Sequence, residues 1–216
     1  MELGYRILVY CWFIGIDIKI IKRAIESFYL ETEIKEHDSI KNTLLPLLNT
    51  GTVLNAIDDY YSDNIYATDW SRAKDFDSRE WVKVFLPLLQ SYLSVLTYES
   101  GYSSYNIDEL WYQQYYKHQT HGWHTHSSNF TGVYYLEFND SPSTEIVEPF
   151  NHDKLFPVKC KEGLLITFPS YAIHRAPKLY NDNRKTIISF NWNMLNPNKK
   201  VLEALKKYDN RLSKKI

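Results

Sequence analysis

The segment HQTHGWHTHSSNFTGVYYL, residues 118–136, decides how the rest of the chain is interpreted. Four histidines fall within its first nine residues, and an apolar, aromatic run follows at once. Neutral imidazole is the commonest metal-ligand side chain, and residues separated by one position, such as His124 and His126, lie on one face of an extended segment. The pattern favours a metal site at the edge of a sheet. Surface histidines in an aromatic loop are an equal alternative from the spacing alone.

The composition is that of a globular protein with a single domain: 216 residues, 44% hydrophobic and 24% charged. A net charge of −1 does not indicate a broad basic surface that would bind nucleic acid. Cys11 and Cys160 are the only cysteines and match no zinc or redox spacing, which favours a reducing compartment, the cytoplasm. The 18 tyrosines favour strands and an aromatic-walled pocket.

An apolar run near the N-terminus, Ile7 to Ile16, follows Arg6 as the hydrophobic part of a signal peptide would. It is half the roughly 20 residues that a membrane-spanning helix needs. Asp17 and Lys19 stand where small residues of a cleavage site are expected. We therefore predict a buried strand or an upstream extension of the domain, and no membrane association.

Residues 1–100 are predicted to be mainly helical. A strand at 28–34 precedes a helix that carries apolar residues from Ile40 to Leu48, with His37, Asp38 and Ser39 as candidate caps. The composition of residues 56–77 indicates an irregular connection. A second helix is predicted to begin at a Ser78 cap and to end near Gly101, with core residues at helical spacing.

Residues 101–195 show short strands separated by turns, and residues 196–216 form a terminal helix or tail with a solvated lysine face. The predicted strands are 109–117, 131–138, 155–159, 163–168 and 184–193. Because no helices intervene, they indicate an antiparallel barrel or jelly roll flanked by helices, a mainly β, α+β fold.

His174 follows one of these strands, and Arg184 opens the next. By strand alternation Arg184 shares a face with Thr186, Ile188, Phe190 and Trp192, the more apolar set, so it is predicted to point inward. A guanidinium there needs an anion, and its planar fork suits a carboxylate. An internal salt bridge to an Asp or Glu is the alternative.

These motifs together resemble the iron(II)- and 2-oxoglutarate-dependent oxygenases, and most of all those found in phages of marine bacteria. The resemblance covers residues 109–195 well, the helical part from about residue 28 loosely, and residues 1–27 not at all. The matching features, in chain order, are His124-Thr125-His126, Val133-Tyr134-Tyr135-Leu136, Glu162-Gly163, Phe168-Pro169-Ser170, His174, Arg184 and Ile188-Ser189-Phe190-Asn191.

The resemblance implies a double-stranded β-helix, the cupin-like jelly roll, with His124 and His174 as iron ligands. It also implies that Arg184 binds the far carboxylate of 2-oxoglutarate, assisted by Thr186. Three protein ligands on one side of iron leave three positions for the keto acid and dioxygen. The implied cofactors and small-molecule partners are Fe(II), 2-oxoglutarate and dioxygen, and phage origin would place the protein in the cytoplasm of an infected host.

One position departs from the family pattern. The family has Asp or Glu where this chain has His126. His126 is the predicted third ligand, and the related phage proteins share this change. Alternatively, His126 lies outside the ligand set and a carboxylate such as Glu145 or Glu148 completes it.

Aromatic residues are the candidates for the pocket walls. Tyr134 is predicted at the cofactor, and Tyr115, Trp123 and Trp192 at the substrate, with core packing as the alternative. His121 is predicted beside the ligand segment. His118 and His152 are predicted to be surface residues.

The favoured function is a dioxygenase that hydroxylates or otherwise oxidises an unidentified substrate while consuming 2-oxoglutarate. One alternative is a cupin-like metalloenzyme with three histidines, which does not use 2-oxoglutarate and whose Arg184 holds the substrate's own carboxylate. Another is a non-catalytic jelly-roll binding module. The fold alone does not choose among substrates.

Overall fold

The computed structural model describes residues 27–48, 52–55, 63–156 and 158–212. The predictions for the apolar run from Ile7 to Ile16, for Cys11 and for residues 56–62 lie outside the described residues, as does the predicted helix end at Gly51.

Two antiparallel sheets dominate the described part of the chain. Their strands are β1 (Leu30–Glu33), β2 (Thr52–Asn55), β3 (Asn64–Thr68), β4 (Tyr102–Tyr115), β5 (His121–His124), β6 (Phe130–Glu137), β7 (Glu145–Glu148), β8 (Asn151–Phe156), β9 (Leu164–Pro169), β10 (His174–Ala176) and β11 (Lys185–Pro197). Seven form the large sheet in the order β1-β9-β6-β11-β4-β3-β2, and four form the small sheet in the order β5-β10-β7-β8. The predicted jelly roll, a double-stranded β-helix, is confirmed.

Three α-helices flank the sheets in the described residues: α1 (His37–Leu44), α2 (Glu80–Glu99) and α3 (Lys199–Leu212). The predicted terminal helix is thus confirmed. The two predicted caps are wrong, because α1 is preceded by Glu36 and α2 by Arg79, neither of which makes a side-chain capping bond. Ser78 instead hydrogen-bonds the carboxylate of Asp75. No described helix is both long and apolar enough to cross a membrane.

The five strands predicted after residue 100 correspond to β4, β6, β8, β9 and β11, with shifted ends. The prediction of an irregular connection is wrong for residues 64–68, which form β3 and pair with β4. The N-terminal portion thus adds strands to the large sheet as well as helices. Strands β5, β7 and β10 were not predicted, because segments of three or four residues carry too little alternation.

The large sheet is buried on both faces. One face packs on α1 and α2 and includes Leu110, Tyr134, Ile188 and Trp192. We call it the helix-facing side. The opposite face packs towards the small sheet and includes Tyr115, Tyr135 and Ile187, and we call it the cavity-facing side. Strands β4, β6 and β11 therefore contribute alternate residues to two different cores.

Gly132 on β6 allows the helix-facing core to close. A Cβ at this position would lie 2.1 Å from Cζ of Phe190 on the neighbouring strand. The aromatic ring of Phe190 lies over the bare backbone, so an alanine here would require this ring to move.

A buried ion pair joins the start of α2 to the large sheet. Arg79 donates from Nη1 to the Asp69 carboxylate at 2.8 Å and to the carbonyl of Leu110 at 2.8 Å. Asp69 also accepts from Trp81 Nε1 and from the backbone N–H of Tyr112. Because each charge has several hydrogen-bonding partners, this network holds β4 and α2 in one position.

Candidate metal centre and its cavity

Three histidines meet between the two sheets. His124 ends β5 and His174 begins β10, and the two residues are directly paired across these antiparallel strands. His126 lies two residues past β5, where its backbone N–H donates to the carbonyl of Ser170 at 3.1 Å. Pairing of two short strands therefore brings together side chains that are far apart in sequence.

The spacing of the three rings fits one metal ion. One nitrogen from each of His124, His126 and His174 lies within 4.8 Å of the others. The Nε2 atoms of His126 and His174 are 3.2 Å apart. Two nitrogens bound at right angles to one ion, each at about 2.1 Å, would be about 3 Å apart. His126 and His174 therefore have the separation of neighbouring ligands on one ion.

Backbone carbonyls orient two of these rings. Nδ1 of His124 lies 2.7 Å from the carbonyl of Gly122, and Nδ1 of His174 lies 2.9 Å from that of Ala172. A carbonyl only accepts, so Nδ1 carries the proton in both rings and Nε2 keeps its lone pair. This outer hydrogen bond is the usual support of a metal-bound histidine.

Burial keeps the cluster uncharged. Loss of solvent lowers the pKa of His126 to about 3 and the pKa of His174 well below its ordinary value, with the neighbouring histidines adding to both shifts. Burial also lowers the pKa of His124. The neutral imidazole that a metal requires is therefore the stable form at neutral pH.

Glu145 and Glu148 were considered as sources of a third ligand. Within the described residues, neither belongs to the histidine cluster. Glu145 accepts from Nε of Arg175 at 2.6 Å, and Glu148 lines a separate apolar groove near Phe150. His126 is the third member of the cluster instead.

The four histidines outside the cluster comprise one buried residue (His121), one half-buried residue (His37) and two exposed residues. His121 stacks on His124 with ring centres 3.9 Å apart, and its Nδ1 lies 3.1 Å from Nε2 of Gln113. Its other nitrogen lies 3.4 Å from the Asp63 carboxylate. His118 and His152 are exposed, as predicted.

A cavity extends from the histidines along the cavity-facing side of the large sheet. It is lined by side chains from both sheets, namely Trp111, Gln113, Tyr115, His121, His124, His126, Thr131, Val133, Thr144, His174, Ala176, Ile187 and Ser189. On β11 the contributors, Ile187 and Ser189, are odd-numbered. Odd-numbered residues of β11 therefore face the metal centre, and even-numbered ones face the helices.

The prediction that Arg184 and Thr186 point towards the cofactor is wrong. Arg184 forms a two-pronged ion pair with Glu137, from Nε at 2.8 Å and Nη2 at 3.0 Å, which matches the internal salt bridge considered as the alternative. Thr186 donates to the same carboxylate. Strand alternation places Thr186 on the helix-facing side with Ile188.

Two aromatic residues predicted at the pocket also lie on the helix-facing side. The Tyr134 hydroxyl lies 2.7 Å from Nδ1 of His37, and its ring stacks on Phe85 of α2. Trp192 is fully buried in the same core and donates from Nε1 to Thr167 at 2.8 Å. For both residues the structure supports the alternative of core packing.

Tyr115 and Trp123 differ in position. Tyr115 lines the cavity, and its buried hydroxyl has no hydrogen-bond partner among the described residues. Trp123 is half-buried and lies beneath the guanidinium of Arg175, 4.4 Å from its ring centre, away from the cavity lining.

Sequence reasoning missed Lys185, a buried ammonium on the cavity-facing side. It is 2% exposed, donates to the carbonyl of Pro142 at 3.0 Å and lies 5.8 Å from the Tyr115 ring centre. No described carboxylate pairs with it. Burial lowers its pKa to about 8. An unpaired buried ammonium is costly, so an anion is the ligand that would stabilise Lys185.

The fold resembles those of known oxygenases. The chain is similar to an oxidoreductase of the 2OG-Fe(II) oxygenase family from Burkholderia pseudomallei, with a TM-score of 0.56 and 14% identity over 78% of this chain and 86% of that one. It is similar to a Trichoplax adhaerens prolyl hydroxylase complexed with a hypoxia-inducible-factor peptide (TM-score 0.55, 16% identity, 76% and 82% covered). It is also similar to a viral collagen prolyl hydroxylase from Paramecium Bursaria Chlorella virus-1 in complex with 2OG (TM-score 0.51, 14% identity, 76% and 94% covered).

No protein-family model matches the chain, and a search of curated proteins finds no match. At these identities the structural similarity establishes the fold, so the chemistry is argued from the cavity itself.

Proposed function

We propose that this protein is an iron(II)- and 2-oxoglutarate-dependent dioxygenase. The proposal is carried by a cavity that three neutral histidines and Tyr115 line, with the buried ammonium of Lys185 lying 5.8 Å from the Tyr115 ring centre and unpaired among the described residues. The first feature suits a divalent metal ion, and the second suits an anion beside it. The similarity in fold to the 2OG-Fe(II) oxygenases agrees with this pairing.

His124, His126 and His174 would hold the metal through their lone-pair nitrogens. Fe(II) with 2-oxoglutarate supplies the capacity to activate dioxygen and oxidise a C–H bond, with succinate and carbon dioxide as coproducts. Three neutral ligands leave both charges of the ion uncompensated. The dianionic keto acid suits that charge better than a neutral ligand would.

Lys185 and Tyr115 are the proposed partners of the distal carboxylate of 2-oxoglutarate. Lys185 supplies a charge with a single hydrogen-bond acceptor nearby, and Tyr115 supplies a hydroxyl that has no partner among the described residues. A carboxylate between them would satisfy both groups. Lys185 thus replaces Arg184 in the role that the sequence predicted.

The third histidine also favours a second candidate, the cupin-like metalloenzyme in which the cavity's cation binds the substrate's own carboxylate. The two candidates share the metal and differ in whether 2-oxoglutarate binds. The likeness to phage oxygenases and a location in the cytoplasm of an infected host stay predictions, as does the single-domain organisation.

Titration of anaerobic, Fe(II)-loaded protein with 2-oxoglutarate tests the proposal. We expect a visible charge-transfer absorption to appear on saturation, and succinate to form on admission of air. The His174→Ala variant is the control and should show neither. Metal binding without any 2-oxoglutarate binding would reject the proposal in favour of the second candidate, and absence of metal binding would reject both.

A further inference from the structure

A chain of polar contacts runs from the central strands of the large sheet to the ring of His121. The Ser189 hydroxyl on β11 donates to Oε1 of Gln113 on β4 at 3.1 Å, and Nε2 of Gln113 lies 3.1 Å from Nδ1 of His121. Because the amide oxygen already accepts from Ser189, the amide nitrogen is the donor to His121, and Nδ1 accepts. The proton of a neutral His121 ring is therefore on Nε2.

The other nitrogen of His121, Nε2, lies beside Asp63, at 3.4 Å from Oδ1 of the carboxylate. His121 is 5% exposed, and burial, together with the neighbouring histidines, lowers its pKa well below the ordinary value, so the ring is neutral at neutral pH. The contact thus joins a neutral N–H to a carboxylate. With Gln113 on one side and Asp63 on the other, the ring is fixed in the position where it stacks on His124 at 3.9 Å.

Asp63 reaches His124 by a second route, through the backbone. The same Oδ1 accepts from the backbone N–H of Gly122 at 3.0 Å, and the carbonyl of Gly122 accepts from Nδ1 of His124 at 2.7 Å. One carboxylate therefore supports both neighbours of the His124 ring, the imidazole stacked on its face and the carbonyl that fixes its tautomer.

The backbone keeps Asp63 within reach of both neighbours. Asn64 and Thr120 form an antiparallel bridge with two N–H···O=C bonds of 2.9 Å each. Asp63 precedes Asn64 and His121 follows Thr120, so antiparallel pairing places Asp63 and His121 opposite each other. The position of Asp63 is therefore set by the fold.

Asp63 also carries a negative charge beside three neutral rings. Within the described residues, no lysine or arginine pairs with it. Burial lowers the pKa of His124, while the Gly122 carbonyl and the charge of Asp63 oppose that shift. The carboxylate thus favours positive charge at His124, and a bound metal ion is a positive charge. The side chain of Asp63 is 30% exposed, so solvent screens part of this effect.

We infer that Asp63 is a positioning residue of the metal centre, which fixes the His124 ring through His121 and Gly122 and supplies negative charge from outside the ligand set. The inference rests on the metal binding that the proposed function requires, and it applies whether or not 2-oxoglutarate binds. It assigns a role to a carboxylate that precedes β3 and is distant from the three histidines in sequence.

Anaerobic titration with Co(II), followed by its visible absorption, tests this role. Asp63→Asn keeps the size of the side chain and an acceptor for Gly122 but removes the charge. We expect it to raise the Co(II) dissociation constant about tenfold, the lower end of the range for outer partners of a metal-bound histidine, because Asp63 is partly exposed. The absorption bands should shift as well, which a loss of folded protein alone would not produce. Glu99→Gln removes a charge at the exposed end of α2 and should change neither.

A second measurement uses no metal. In the imidazole nitrogen NMR spectrum of metal-free protein, we expect His124 to be a single tautomer with its proton on Nδ1. Asp63→Ala removes the acceptor that holds Gly122, so His124 should then show both tautomers.

The inference is overturned if Asp63→Asn has the Co(II) affinity and spectrum of Glu99→Gln, or if His124 keeps a single tautomer in Asp63→Ala. If Asp63→Asn does not fold, His121→Phe is the second variant. It keeps a stacked ring but loses the polar contact with Asp63, so it should also weaken Co(II) binding, and unchanged binding would overturn the inference.

Failure of the proposed function shows separately, as absence of 2-oxoglutarate binding to Fe(II)-loaded protein or of metal binding altogether. In the latter case the tautomer measurement on metal-free protein decides the inference by itself.

Discussion

Arg184 and Lys185 are neighbouring basic residues at the start of the same central strand, yet their surroundings differ completely. Arg184 meets Glu137 through two hydrogen bonds and has its charge compensated within the protein. Lys185 is buried among Tyr115, Phe138 and the carbonyl of Pro142, with no described carboxylate beside it. The charge of Arg184 is compensated within the protein, whereas the charge of Lys185 would be compensated by a bound ligand.

The same contrast extends over the two sides of the large sheet. The helix-facing side is apolar and satisfies its polar groups internally, as when Trp192 donates to Thr167. The cavity-facing side leaves the hydroxyl of Tyr115 and Nε1 of Trp111 without partners among the described residues. Variants on the first side should therefore change stability, and variants on the second should change binding.

The largest expected effect is on the helix-facing side. Trp192→Ala should lower the free energy of unfolding by about 3–5 kcal/mol, because it opens a cavity among buried aromatic rings and leaves Thr167 without its donor. Chemical denaturation measures this change. Metal affinity of the folded protein should not change. If Trp192→Ala is as stable as the unaltered protein but binds ligands differently, the placement of Trp192 in the helix-facing core is contradicted, and Trp192 belongs to the pocket wall.

Lys185→Met tests the cost of the unpaired ammonium. The pKa of Lys185 is about 8 in the folded protein against an ordinary value of 10.5, so the folded state binds this proton more weakly than the unfolded chain does. Its charge therefore opposes folding below about pH 8, and that cost fades as pH rises towards 10.5.

The variant should thus be more stable than the unaltered protein by on the order of 3 kcal/mol at pH 7, without bound ligand, and the difference should shrink by pH 10. Denaturation curves at several pH values measure it. A variant less stable than the unaltered protein at pH 7 would mean that Lys185 has an ionic partner.

Substitutions of His126 test whether this residue is the third metal ligand of the histidine cluster. His126→Ala should weaken Fe(II) binding by more than about 100-fold, because the remaining two histidines cannot complete a three-ligand set. His126→Asp should retain binding, since a carboxylate at that position also reaches the ion. Anaerobic metal titration measures both, with the exposed His118→Ala as control. Indifference to both changes at His126 would exclude it as a ligand.

The sequence predicted the jelly roll and the α2 core, because long periodic segments carry those signals. The three histidines that the structure brings together were implied by the resemblance to the oxygenases. Sequence reasoning failed on β11, where both faces are buried. Alternation then separates two faces without showing which one holds the site. The apolar set Ile188, Phe190 and Trp192 belongs to the helix-facing core, whereas the polar residues of the same strand, Lys185 and Ser189, mark the cavity. Polar residues within a central strand were the available signal.

The sequence also failed to predict the helix caps, β3 and the short strands of the small sheet, and the reason is different. They depend on contacts between distant segments, such as Asp69 with Arg79 and His174 with His124, that local sequence does not encode.

The most direct test compares 2-oxoglutarate binding by Lys185→Met and Arg184→Met in anaerobic, Fe(II)-loaded protein. We expect Lys185→Met to raise the dissociation constant at least about tenfold, because a charge-assisted hydrogen bond to the carboxylate is lost. Arg184→Met should leave it unchanged and cost only about 1 kcal/mol of stability through Glu137. Weakened binding in Arg184→Met with normal binding in Lys185→Met would contradict the assignment of Lys185, in place of Arg184, to the distal carboxylate of 2-oxoglutarate.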